Sequence, residues 1–297
     1  MKNIAIIGGG VAGLSAAIYA LRANVNVTLF EQFGLGGLVA TLDKIENYPS
    51  YPSVEGWELA QNMANQAKQL GLKQTRQKVL SLTTCENGFC ITTDKGQHSF
   101  DAVIIATGTT HNKLGIEGDY VGKGVSYCAT CDGNFYRNLD VAVVGNGNSA
   151  IKEALYLADL CKTVYLVAND NLTGEQKVID DLLAKTTVQL VNGTVATIGG
   201  ENEVQFVDVY RDGTTTRLDV AGIFVAVGST PATDFIKIDG LTMQKGYVVV
   251  DDRAQTNVKG LYAAGDCTNG PLKQIVTACG DGAKAGLFAS AYSKTVK

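Results

Sequence analysis

Histidine is nearly absent: the 297 residues hold only His98 and His111. With so few imidazoles and no second Cys-x-x-C pair, the four ligands of a structural zinc are not at hand, and no metal centre is predicted. Proline is scarce, with 4 residues against a hydrophobic content of 45%, which argues for a compact chain and against disorder. No apolar run is long enough to cross a bilayer, and Met1-Lys2-Asn3 leads straight into a strand without a signal-type segment. A surplus of positive charge is also missing. Lysine and arginine number 25 against 29 acids, a net charge of −4, so no basic face for nucleic acid or an anionic membrane is expected. The cysteine count, 7, is odd and lacks the spacing of a disulfide-framed secreted domain, so a reducing, cytoplasmic setting is expected. Finally, no arginine occurs between Arg137 and Arg211.

Glycine, in contrast, is abundant at 34 residues, and the length suits two domains. Residues Asn3 to Ile7 read as a strand that runs into Gly8-Gly9-Gly10-Val11-Ala12-Gly13, after which Leu14, Ala17, Ile18 and Leu21 recur at helical spacing. Gly8 permits the turn, Gly10 lets the backbone approach a pyrophosphate, and Gly13 lets helix and strand pack closely. A second strand, Asn26 to Phe30, ends at Glu31, about twenty residues on, where a carboxylate accepts from a ribose hydroxyl. Together they predict a dinucleotide site. The plan then repeats: Val141 to Val144, the loop Gly145-Asn146-Gly147-Asn148-Ser149-Ala150, a helix through Ile151, Ala154, Leu155 and Ala158, and the strand Thr163 to Val167. Two copies of one nucleotide-binding unit, displaced by 137 positions from Gly8 to Gly145, argue for two sites.

Smaller features fill the frame. Residues Glu58 to Leu70 read as a helix, and Val79 to Thr93 as a hairpin turning at Asn87-Gly88, with Cys85 and Cys90 directly opposite and expected to be reduced. His111 to Gly124 reads as an unpacked crossover, His98 as an exposed loop or hairpin residue, and Cys161, Cys267 and Cys279 as small buried side chains. A last strand, Gly260 to Ala264, leads to Gly265-Asp266, and a helix starts near Gln274. The carboxylate at that strand end completes the first nucleotide site, so the second domain is an insertion in the first. The predicted fold is α/β: two Rossmann-like, three-layer nucleotide-binding domains, with 1–114 and 241–297 forming the first and 115–240 the second.

Between the glycine loops stands Cys128-Ala129-Thr130-Cys131-Asp132-Gly133. A C-x-x-C pair sets two sulfurs within bridging reach, and the adjacent carboxylate offers a proton to the thiolate that leaves when a disulfide opens. That is redox chemistry in need of an electron source.

On these motifs, with Glu46-Asn47-Tyr48-Pro49, Ala106-Thr107-Gly108 and Ala264-Gly265-Asp266, the chain resembles the low-molecular-weight thioredoxin reductases over nearly its whole length. The resemblance implies FAD on the first glycine loop and the Gly-Asp motif. It places Gly8, Gly10, Ala12, Gly13, Glu31 and Gln32 at the adenine-side ribose and pyrophosphate, and Val79 beside the adenine. Asn47, Asp266, Gln274 and Ile275 fall nearer the ribityl chain and flavin, and Gly37, Leu38, Thr107, Gly108 and Gly265 complete the cofactor positions. Leu38 departs from the glutamine common there. The resemblance further implies Cys131 as the flavin-facing thiol, Cys128 as the interchange thiol that attacks a thioredoxin-like partner, Asp132 as general acid and base, a rotating inserted domain, and a homodimer.

The second nucleotide site departs from that pattern. NADPH-using members carry a His-Arg-Arg cluster and a further arginine after the second strand, whereas this chain reads Ala168-Asn169-Asp170-Asn171-Leu172. A 2′-phosphate there loses its charge-assisted partners and meets Asp170, so NADPH is disfavoured. Asn146 and Asn148 also replace the usual glycine and aspartate. Three readings fit: a ferredoxin-dependent flavin thioredoxin reductase, which is favoured; an NADH-dependent disulfide reductase with Asp170 or Asn169 on the ribose; and a flavin dithiol oxidase that passes electrons to oxygen. A non-enzymatic flavin sensor stands beside them, opposed by the intact Cys128, Cys131 and Asp132.

Overall fold

The computed structural model describes residues 3–42, 44–86 and 88–295. Its helices are α1 (Val11–Arg22), α2 (Gly56–Gln69), α3 (Ala129–Asp132), α4 (Asn148–Ala158), α5 (Gln176–Leu183) and α6 (Ile275–Thr295). The chain divides into two compact units, Met1–Thr110 with Thr230–Lys297, and His111–Ser229.

In the first unit five parallel strands lie in the order Leu261–Ala263, Ala102–Ile105, Asn3–Ile7, Asn26–Phe30, Lys73–Thr75. Alternation along a strand sends successive side chains to opposite faces, and here both faces are covered. Ile4 and Ile6 pack with Leu29, Ile104 and the apolar stripes of α1 and α6. Ala5 and Ile7 pack the other way, with Phe30 and Ile105, against Leu82, Phe89 and Ile91 of an antiparallel sheet formed by Val79–Cys85, Gly88–Thr93 and Gly96–Phe100. Helices, parallel sheet and antiparallel sheet make the three layers.

The second unit repeats the plan. Its parallel sheet runs Val188–Asn192, Thr163–Ala168, Asp140–Val144, Gly222–Val225, Val125–Ser126. Val141, Val143 and Phe224 meet Ile151, Ala154 and Leu157 of α4, and Ala142, Val144 and Ile223 meet Val195, Val207 and Val209 of a second antiparallel sheet. The correspondence reaches single atoms. Gly8 takes φ +105° and leaves no room for a Cβ beneath the Ala106 carbonyl; Gly145 takes φ +143° beneath the Ala226 carbonyl. Both positions demand glycine, for space and for backbone conformation.

Several expectations need correction. The chain re-enters the first unit at Thr230 rather than 241, because Leu82 exchanges backbone hydrogen bonds with Phe235 (2.9 Å) and Lys237 (2.8 Å). At its other end the inserted unit begins at His111, not 115. In the hairpin Cys85 pairs with Gly88 and Thr83 with Cys90, so Cys85 and Cys90 are diagonal neighbours on one face. They are joined in a disulfide with a Cα–Cα distance of 5.8 Å, not reduced. Asn87, the predicted turn residue, lies outside the described residues. His98 is half-buried, hydrogen-bonded to Gln77 at 3.1 Å and packed against Phe30. The crossover is packed too: Glu117 is buried and accepts from the Leu114 and Gly115 N–H groups and from Tyr127 Oη. Cys161 and Cys267 are buried, as expected, while Cys279 is half-buried and accepts a long hydrogen bond from Tyr48.

The contact between α1 and α6 depends on small residues. A Cβ on Gly286 would run into the backbone of Ala16, whereas one on the exposed Gly280 would meet nothing within 4 Å. Gly286→Ala is expected to destabilise the protein by about 1–3 kcal/mol through overpacking. Gly280→Ala is expected to stabilise it by about 0.5–1 kcal/mol through helix propensity. Thermal midpoints that move in opposite directions check the pair.

Candidate functional site

A cleft opens in the first unit where the strands Asn3–Ile7, Ala102–Ile105 and Leu261–Ala263 end. Ligands collect at the carboxyl ends of parallel strands because the loops diverge there and helix N-termini point inward. Helix α1 starts at this place with Gly10 as its N-cap, no side chain capping it and no acid in its first turn. Space lies open where a Gly10 Cβ would stand. The N–H groups of that turn therefore face the cleft, an arrangement suited to an anion. Glu31 sits at the end of the adjacent strand and accepts from Gly9 N–H at 2.8 Å and Phe33 N–H at 2.9 Å. That leaves its remaining lone pairs for hydroxyl groups.

At the far side, the Asp266 carboxyl is raised by burial, against the opposing pull of Lys273. Burial lowers Lys273 in turn, and its ammonium donates to the carbonyls of Asp266 (2.9 Å) and Thr268 (2.5 Å). Thr107 Oγ1 is buried without a hydrogen-bond partner.

The second unit carries the cysteines. Cys128 and Cys131 are bonded, with Cα atoms 5.3 Å apart, and Cys128 is the N-cap of the single turn α3. Cys131 N–H and Asp132 N–H both donate to the Cys128 carbonyl, at 3.2 and 3.1 Å, which closes the turn. Ser126, buried on the preceding strand, ties the turn down: its hydroxyl donates to Asp132 Oδ2 at 2.6 Å and accepts from Cys128 N–H at 3.1 Å. Thr130 Oγ1 stands 3.4 Å from Cys128 Sγ. Below the turn, burial pushes Tyr136 up to about 12, and the Asp132 charge acts in the same direction. Opening the disulfide there sets free two half-exposed sulfurs beside an oriented carboxylate.

Comparison with known proteins agrees with this geometry. The pyridine nucleotide-disulphide oxidoreductase family matches residues 2–282. The chain belongs to that family. It is 38% identical to a thioredoxin reductase of Treponema pallidum over 99% of this chain and 98% of the relative. Among solved structures, the thioredoxin reductase of Streptococcus pyogenes superposes with a TM-score of 0.93 at 35% identity, covering 98% of both chains. A ferredoxin-flavin thioredoxin reductase of Clostridium acetobutylicum gives a TM-score of 0.56 at 30% identity, covering 100% of this chain and 99% of that one.

The protein is therefore an oxidoreductase, and its family implies FAD. The cleft fits that group: an uncapped helix start for the pyrophosphate, Glu31 for a ribose, and the poorly satisfied Thr107 hydroxyl further in. When bound, the flavin supplies a two-electron couple for disulfide reduction.

Of the residues expected to hold it, Gly8, Gly10, Ala12 and Glu31 line the cleft, as do Gly37, Leu38, Thr107, Gly108 and Asp266. The others stand apart from the cleft lining. Gly13 presses against the Gly8 carbonyl and Gly265 against Ala12, so their parts are steric. Asn47 Nδ2 donates to Gln274 Oε1 at 3.1 Å, and Ile275 packs on the helix-side core. Gln32 is exposed, while Val79 packs on the core between the sheets. The motif reading missed Val39, Thr109 and Ala278, which also line the cleft, and gave no role to Gly9, Val11, Ala106 and Ala264, which stand in its motifs and line the cleft as well. Ser126 was missed at the dithiol turn, its role visible only once the strand places it under Asp132.

Glu31→Ala removes the acceptor of both the Gly9 and Phe33 N–H groups, each bond to a charged group contributing about 1.5–3 kcal/mol. The variant is expected to lose FAD on purification, with affinity lowered at least ~10-fold. The ratio of flavin to protein absorbance measures it.

Proposed function

We propose that the protein is a FAD-dependent thioredoxin reductase whose electrons come from a reduced ferredoxin-type iron–sulfur protein rather than from NADPH. Cys131 receives the electrons from the flavin and Cys128 attacks the disulfide of a thioredoxin-like partner. Asp132, oriented by Ser126, carries the protons. An iron–sulfur donor gives one electron at a time, so two donor molecules serve each disulfide, and two protons complete the dithiol. A homodimer and a cytoplasmic setting belong to the same reading.

The observation that carries the choice of donor is the lack of a cation for a 2′-phosphate in the second unit. From the end of the strand Thr163–Ala168 to the start of α5, the chain offers Asp170 and Glu175 and no lysine or arginine. The unit's three arginines have partners elsewhere: Arg137 with Asn134, Arg211 with Asp212, and Arg217 in a two-pronged pair with Asp208 at 2.9 and 3.0 Å. The glycine loop is also held by its own chain. Thr173 N–H donates to the Asn146 carbonyl at 2.7 Å, and Asn146 Nδ2 reaches the Asn171 carbonyl at 3.4 Å. The likeness to the ferredoxin-flavin thioredoxin reductase of Clostridium acetobutylicum supports this reading. NADH is the second reading, because Gly145 keeps the nucleotide turn and the exposed Asp170 stands just beyond the strand end.

Anaerobic titration of the flavoprotein separates them. NADPH and NADH are each expected to leave the flavin absorbance unchanged, and reduced ferredoxin to bleach it and then reduce thioredoxin. Rapid bleaching by NADPH would overturn the donor assignment, and bleaching by NADH alone would replace it with the second reading. Cys128→Ser is expected to keep flavin reduction and lose thioredoxin reduction by at least ~1,000-fold, read as thioredoxin thiols formed per minute.

A further inference from the structure

The hairpin of the first unit carries a disulfide, Cys85–Cys90, that neither the cofactor cleft nor the Cys128–Cys131 turn uses. Strand alternation puts both cysteines on the face opposite to Leu82, Phe89 and Ile91, which fill the core. Both are half-exposed. On the third strand Ser99 pairs directly with Cys90, and its Oγ stands 3.7 Å from Cys90 Sγ. A bonded sulfur carries no hydrogen, so the hydroxyl is the donor. Cys85 is followed in the chain by Glu86, an exposed acid.

The bond is not what holds the hairpin together. Thr83 with Cys90, Thr84 with Phe89 and Cys85 with Gly88 already pair the strands, and the core anchors Leu82, Phe89 and Ile91. The cross-link spans a separation of only 5 residues, and such a short ring removes little entropy from the unfolded chain. Opening it therefore leaves the fold standing. We propose that Cys85–Cys90 is a second redox-active site, open to thiol–disulfide exchange with small dithiols, in which Cys85 is the sulfur attacked and Cys90 the one that leaves. The two sulfurs differ for a physical reason. The better leaving sulfur is the one whose thiolate is more stable, and the Ser99 hydroxyl donates to Cys90, whereas a thiolate at Cys85 forms next to Glu86. The inference does not depend on which donor reduces the flavin.

A thiolate of the small dithiol attacks Cys85 Sγ; a mixed disulfide forms, the Cys85–Cys90 bond breaks, and Cys90 leaves as a thiolate beside Ser99. The second thiolate of the dithiol then attacks its own sulfur in the mixed disulfide, closes into a cyclic disulfide and frees Cys85. Two electrons pass to the hairpin, and the two protons given up by the dithiol end on Cys85 and Cys90. A small disulfide, itself reduced to two thiols, takes the electrons back and restores the bond.

The test uses the flavin-loaded protein, oxidised with glutathione disulfide and then treated with dithiothreitol without denaturant. Labelling by iodoacetamide, read by peptide mass mapping, follows Cys85 and Cys90 apart from the other cysteines. Both are expected to resist labelling after oxidation and to label after reduction, with bound flavin and a cooperative thermal transition retained. The same result is expected in the double variant Cys128→Ser, Cys131→Ser, which removes the other pair, and loss of reduction there overturns direct exchange. Labelling of Cys85 and Cys90 in the oxidised sample, or labelling only after unfolding in urea, overturns the inference. Ser99→Ala, at an exposed position, is expected to slow the reduction about 5-fold, the effect of one net hydrogen bond. An unchanged rate overturns the assignment of Cys90 as the leaving sulfur.

Discussion

At Gly8 the backbone turns beneath the Ala106 carbonyl so closely that no side chain fits, and the whole first site follows from that approach. The turn delivers the chain from the end of the central strand into α1 with no residue available to cap the helix. The N–H groups of its first turn are then committed to the cleft. Burying the strand on both faces fixes where the cleft lies, because Ile4 and Ile6 face the helices while Ala5 and Ile7 face the antiparallel sheet. The position of Glu31 is a consequence too, since the parallel register of Ile7 with Phe30 places the carboxylate beside the turn.

The dithiol site uses the same element in a shorter form. Cys128 caps a turn of only four residues, too short to hold itself, so a neighbouring side chain holds it: Ser126 from the strand before. Its contacts are to the Cys128 backbone and the Asp132 carboxylate of the motif. The residue that orients this chemistry thus lies outside the Cys-x-x-C-Asp string, 2 residues before it.

That division explains what could be read from the order of residues alone. Strand, glycine turn and helix are local, and the alternation and helical spacing that announce them survive folding intact, so both βαβ frames and the inserted second unit were legible. The cofactor cleft was legible where a residue acts through its own backbone, as Gly8, Gly10 and Gly37 do. It was less so for Val79 and Gln32, whose directions depend on how the antiparallel sheet and the strand-end loop settle. The Cys85–Cys90 bond was hidden by the inference from compartment to reduced thiols, although the hairpin brought the two cysteines together; pairing Cys85 with Gly88 sets them diagonally on one face. Ser126 carries no motif at all.

The second glycine turn shows how firmly such a frame is tied into its unit. Gly145 sits beneath Ala226, Ala150 and Ile151 are fully buried, and Val141 and Val143 fill the core beside them, so altering the turn disturbs packing throughout the unit. Cations that grip a phosphate have no such hold. They stand in solvent at a strand end, where Asn169 and Asp170 are exposed, and exchanging exposed residues shifts stability by only about 0.5 kcal/mol. Residues at that strand end can therefore change while the fold of the site stands. The loop contacts of Thr173 and Asn171 with Asn146 tie the turn to its own chain, in the same unit that carries the dithiol turn.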